Sequence, residues 1–151
     1  MINVKANELR IGNFVKCSRV QTDVFCVIVG FFKETFDGQV FIKYPYKNMH
    51  DLPDENEVCE PIRTIFPIPL TPEILEKCGF VQLDTEMSGC RVWDIPNTHW
   101  RVAMSYRDET CFKLWHRQVS PPTWRLAEFE SLHQLQNLYF ALTGTELNGT
   151  L

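Results

Sequence analysis

The run Ser131-Leu-His-Gln-Leu-Gln-Asn-Leu-Tyr-Phe-Ala-Leu-Thr-Gly144 constrains this chain most, because it carries both ends of a helix and an apolar stripe between them. Ser131 with Gln134 three positions on makes an S-x-x-Q capping box, in which each side chain satisfies a backbone N–H that the first turn leaves open. Leu132, Leu135, Leu138, Tyr139 and Leu142 fall at helical spacing on one face, and Gly144 stands where a left-handed residue ends a helix. Gln134, Gln136 and Asn137 decorate the opposite face. The helix is therefore expected to pack along its apolar stripe and to act as the clamp that closes the second lobe.

What precedes it is written in short β-patterned runs. Asn13–Ser18, Val24–Phe32 and Gln39–Tyr44 are dense in β-branched and aromatic residues, Gly12 marks the turn into the first, and Asp37-Gly38 before the third is a hairpin signal. They predict a small bent β-sheet or SH3-like barrel over residues 1–69. Asp51, Asp54, Glu55, Glu57 and Glu60, with Pro53, read as a solvated loop. Pro67 and Pro69 then hold the chain extended, and Thr71 as N-cap with Pro72 at the first helical position starts a short helix over 72–78 that Gly79 ends.

Residues 70–151 form the second expected lobe, with strands within 90–127 and the closing helix over 132–143. Its strands are Cys90–Ile95, His99–Tyr106 and Cys111–Arg117, joined at Pro96-Asn97 and at Arg107–Thr110. In the middle strand Trp100, Val102, Met104 and Tyr106 alternate with His99, Arg101, Ala103 and Ser105, which predicts one apolar and one polar face. The fold class is α+β: a bent sheet, a short helix, an antiparallel meander and a C-terminal amphipathic helix.

Composition narrows the function. The chain has 151 residues, 44% apolar and 23% charged, in the range of an ordinary soluble globular protein of one domain or two small lobes. No apolar stretch is long enough for a membrane-spanning helix, and the N-terminus lacks the basic-then-apolar layout of a signal peptide, so cytoplasmic residence is expected. A formal charge of −4 disfavours general duplex DNA binding, which needs a basic surface to neutralise phosphates. Cysteines 17, 26, 59, 78, 90 and 111 and histidines 50, 99, 116 and 133 show no metal-ligand spacing, so free, mostly buried thiols and no metal or cofactor are expected.

Three blocks carry a family likeness: Lys5-Ala-Asn-Glu-Leu-Arg-Ile-Gly-Asn13, Pro67-Ile-Pro-Leu-Thr71 with Leu75, Cys78, Gly79 and Phe80, and His133–Gly144 with Glu146-Leu147. On these the chain resembles a family of small phage and mobile-element proteins of Bacteroides-type bacteria. The resemblance implies origin, layout and a bacterial host cytoplasm; it transfers no catalytic motif.

No nucleophile-elbow, zinc-protease or P-loop motif occurs, and no residue is assigned a catalytic role; an enzyme is less favoured than a binding protein. The binding signal is the interleaving of Trp93, Trp100, Tyr106, Phe112, Trp115 and Trp124 with Arg91, Arg101, Arg107, Arg117 and Arg125. Aromatic faces stack on purines and arginine forks hold phosphates, so the pattern suits a nucleotide or another small anion. The candidate ligand-binding residues are His99, Arg101, Trp115, Arg117, Arg91 and Trp93. With the phage origin that the resemblance implies, these features lead to the expectation of a non-enzymatic phage accessory protein, a sponge for a host immune nucleotide signal, acting as a homodimer. A protein-interaction adaptor that inhibits a host protein is the alternative, with a single-stranded DNA module and a small hydrolase as weaker ones.

Overall fold

The computed structural model describes residues 4–19, 25–32, 38–43, 57–83, 89–117 and 127–147. Among them the chain is α+β as expected, with two five-stranded antiparallel sheets and two α-helices. It divides into two compact units, Met1–Ile68 with Leu132–Leu138, and Pro69–Ser131 with Tyr139–Leu151.

In the first unit β1 (Phe14–Cys17), β2 (Cys26–Phe32), β3 (Gln39–Lys43), β4 (Glu57–Pro61) and β5 (Ile65–Phe66) lie in the order β4-β3-β2-β1-β5. Alternate residues point to one side, as the two-residue strand period requires, and there Val15, Cys17, Cys26, Ile28, Val40, Ile42 and Ile65 form a core with Leu9 and Ile62 packed against it. The register between β2 and β3 shifts between Ile28 and Gly30, a bulge of the kind that bends a strand. Gly30 lies at that bulge with the Phe41 side chain beside it. Gly38, with φ of 61°, leads into β3 as the hairpin signal anticipates; Asp37 lies outside the described residues.

Strand β4 corrects the sequence reading, which made Glu57 and Glu60 part of a solvated loop. The segment pairs with β3 along its whole length, Val40 opposite Glu60, and Glu60 is only 3% exposed. A carboxylate is tolerated there because it has partners: Thr64 Oγ1 lies 3.3 Å and Arg19 Nε 3.4 Å from its Oε2. Asp51, Pro53, Asp54 and Glu55 lie outside the described residues.

Helix α2 (Leu132–Thr143) also departs from expectation. Ser131 occupies the N-cap with an extended backbone but makes no side-chain cap bond; it sits in an isolated bridge with Pro69, and the Leu132 N–H goes to the Ile68 carbonyl. Two of the three amides bond inward to the first unit. Gln136, 1% exposed, accepts from the Phe14 N–H at 2.8 Å and donates to the Gly12 carbonyl at 3.2 Å, standing in for a missing peptide group at the start of β1. Asn137 donates to the Glu8 carbonyl and accepts from Asn13 Nδ2 and Arg10 Nε. These bonds all fall within the first unit, whereas Leu138, Tyr139 and Leu142 on the expected stripe are only half-buried.

The second unit holds α1 (Pro72–Lys77), β6 (Val81–Gln82), β7 (Cys90–Asp94), β8 (Trp100–Ser105), β9 (Asp108–His116) and β10 (Ala127–Phe129), in sheet order β10-β9-β8-β7-β6. Helix α1 starts as its sequence dictates: the Ile74 N–H donates to Thr71 Oγ1 at 3.3 Å, and Pro72 stands where no N–H is needed. Register places Trp93, Val102 and Leu114 in one row and Met104, Phe112 and Phe129 in the next, on the same face, all buried. The opposite face is not simply polar, as the alternation in β8 suggests. Ala103 is 3% exposed and forms a second cluster with Val92 and Trp115, against which Leu83 and Cys90 pack.

All six cysteines are free thiols. Cys17, Cys26 and Cys78 are buried, and burial pushes the Cys26 thiol up to about 12 and that of Cys78 to about 11. Cys90 and Cys111 are half-buried, and Cys59 is exposed, accepted by Gln39 Oε1 at 3.2 Å.

Candidate functional site

One end of the second unit's sheet is built around the hairpin between β7 and β8. Pro96 presets the backbone, Asn97 takes a left-handed φ of 58°, and the Thr98 N–H returns to the Ile95 carbonyl at 3.3 Å, the arrangement of a type II turn. The Thr98 hydroxyl stiffens it further, donating to the Ile95 carbonyl at 3.0 Å and accepting from the Trp100 N–H at 3.1 Å. Beside the turn, the Arg117 N–H donates to the His99 carbonyl at 2.8 Å, which carries the β8–β9 pairing one step beyond the ends of both strands. His99, Arg101, Trp115, Arg117 and Asp94 thereby come to one face of the sheet, because directly paired residues, and residues two apart on a strand, share a side.

Two guanidinium groups converge on a single carboxylate there. Arg101 Nε donates to Asp94 Oδ1 at 2.7 Å, and an Arg117 terminal nitrogen donates to Asp94 Oδ2. Removal from water works against the Asp94 charge, but the hydrogen bonds and charges of Arg101 and Arg117 outweigh it and hold the carboxyl below its ordinary range. With two arginines on one aspartate, the group keeps one positive charge in excess. Arg117 is the more exposed of the two, its side chain 39% accessible against 25% for Arg101.

An open hollow of about 470 Å³ lies against this group, lined by Val81, Asp94, Ile95, Pro96, Asn97, Thr98, His99 and Arg117. Its volume falls in the range of small-molecule sites, and its lining mixes apolar residues (Val81, Ile95, Pro96) with charged and amide ones. Of the residues singled out from sequence, His99 and Arg117 line it directly. Arg101 stands behind Asp94 and fixes its orientation. Trp115 shares the face but is 5% exposed, packed with Val92 and Ala103, so its ring is not a stacking surface.

Arg91 and Trp93 are not part of this group. Trp93 is fully buried on the opposite face, its ring centroid 6.3 Å from that of Phe112, and Arg91 lies over the Tyr106 ring at 5.5 Å. Trp124 and Arg125 lie outside the described residues. The residue absent from the ligand-binding set read from the sequence is Asp94; its signal is a carboxylate two residues before Pro96-Asn97, opposite an arginine-bearing strand. Among the described residues no three His, Cys, Asp or Glu side chains are grouped to hold a metal ion, and no helix is long and apolar enough to cross a membrane.

No family model matches the chain, and neither a curated protein nor a solved structure matches it significantly.

Proposed function

We propose that this chain is a non-enzymatic binding protein for a small anionic ligand of the nucleotide class, held in the hollow beside Arg117. The carrying observation is the convergence of Arg101 and Arg117 on Asp94 at the edge of that hollow. It leaves a positive group whose outer member, Arg117, has guanidinium N–H donors not engaged among the described residues. Arginine forks hold phosphate through charge-assisted bonds, and one focused cation site is compatible with a protein of net charge −4. The accessible apolar surface of Val81 and Pro96 in the lining suits the face of a base or sugar.

Two of the hollow's polar groups, Thr98 and Asp94, favour binding rather than turnover. The Thr98 hydroxyl is engaged within the turn and the Asp94 carboxylate is held by two arginines, so neither is placed as an activated nucleophile or a base. The resemblance to phage and mobile-element proteins supplies the setting: sequestration of a nucleotide signal of host immunity in the bacterial cytoplasm. Calorimetry against cyclic di- and trinucleotides, ADP-ribose derivatives and adenosine monophosphates tests the reading. Saturable binding by at least one, lost in Arg117→Ala, is expected; flat isotherms for all of them contradict it.

A further inference from the structure

The hollow holds an acceptor as well as a cation, and the two touch. Asp94 lines it together with Arg117, and each Asp94 oxygen accepts one arginine hydrogen bond, which leaves further lone-pair positions on the carboxylate. A ligand bound by Arg117 alone brings its anion beside a second negative charge. That repulsion is offset when the ligand also carries a hydrogen-bond donor next to its anion. Because Arg117 and Asp94 are in direct contact, anion and donor must sit on neighbouring atoms of the ligand rather than at its two ends.

Resting on the anion-binding reading above, we infer that the hollow selects a ribonucleotide phosphate with a free vicinal hydroxyl: Arg117 takes the phosphate and Asp94 accepts from the adjacent ribose hydroxyl. A ribose 2′-hydroxyl beside a 3′-phosphate has this layout; a deoxyribose lacks the donor. An exocyclic amine on the base is too far along the molecule to pair with Asp94 while the phosphate stays on Arg117. Arg101 is the positioning residue, since its bond to Asp94 Oδ1 holds the carboxylate at the margin of the hollow without lining it.

The test compares adenosine 3′-monophosphate with its 2′-deoxy analogue by calorimetry on the full chain. The wild-type protein is expected to bind the ribo form about tenfold more tightly, the scale of one hydrogen bond to a charged acceptor. Asp94→Ala is expected to bring the ratio to about one, because the acceptor for the vicinal hydroxyl is gone. Asp94→Asn, which keeps the side chain's shape, narrows the ratio and serves if the alanine variant does not fold. Equal binding of the two nucleotides by the wild type, or a ratio that survives Asp94→Ala, overturns the inference while leaving the anion site standing. Absence of binding by either nucleotide, together with flat isotherms across the wider panel, overturns both.

Discussion

Asp94 is the residue on which charge and geometry meet. Its carboxyl is depressed in the folded chain, so it contributes stability that is present above the unfolded carboxylate value of roughly 3.9 and is lost as pH falls through the lower folded value. Asp94→Asn should therefore be less stable than the wild type at neutral pH, and the gap should close on acidification below about pH 4, as read by urea unfolding across pH. Half-exposed ion pairs of this kind contribute little, about 0.2–1 kcal/mol each, so the neutral-pH difference should be small. Gln136 is the opposite case, a neutral side chain with a large structural effect. Its loss in Gln136→Ala leaves the Phe14 N–H and Gly12 carbonyl without their partner, and should cost about 1–3 kcal/mol in the same unfolding measurement.

At the scale of elements, local chemistry explains the ends of helices and turns better than their environment. Thr71-Pro72 starts α1 and Gly79, at φ of 82°, follows it, while Pro96-Asn97 turns the β7–β8 hairpin; each is a short-range preference legible in the chain. Gly144 ends α2 with φ of 70°, so Gly144→Ala should lower stability by about 1–2 kcal/mol, visible as a fall in thermal midpoint without loss of the folded circular-dichroism signal. What was not legible depends on distant partners. Glu60 reads as solvated until Thr64 and Arg19 are seen beside it, and Gln136 reads as surface until Phe14 and Gly12, far away in sequence, are found on its amide. Alternation in β8 marked Ala103 as outward-facing, but Val92 and Trp115 bury that side too. Same-face spacing put His99, Arg101, Arg117 and Trp115 on one side, as the register does, but burial is not written in spacing: Trp115 on that face and Trp93 on the other are both inside.

For the molecule as a whole, each of the two units has its own sheet, and the candidate site lies within one of them. The hollow is open to solvent, and on the proposed reading a second copy would complete the site. A homodimer is accordingly expected, with light scattering giving twice the 17.7 kDa chain mass; that single-chain mass both with and without nucleotide would contradict it. The central claim concerns where an anion binds, and a titration of adenosine 3′-monophosphate into isotopically labelled protein, followed by amide and arginine side-chain NMR shifts, addresses it most directly. The account predicts saturable shifts concentrated at Asp94–His99 and on Arg117, and their disappearance in Arg117→Ala. Shifts centred elsewhere in the chain, or none at saturating nucleotide, would contradict it.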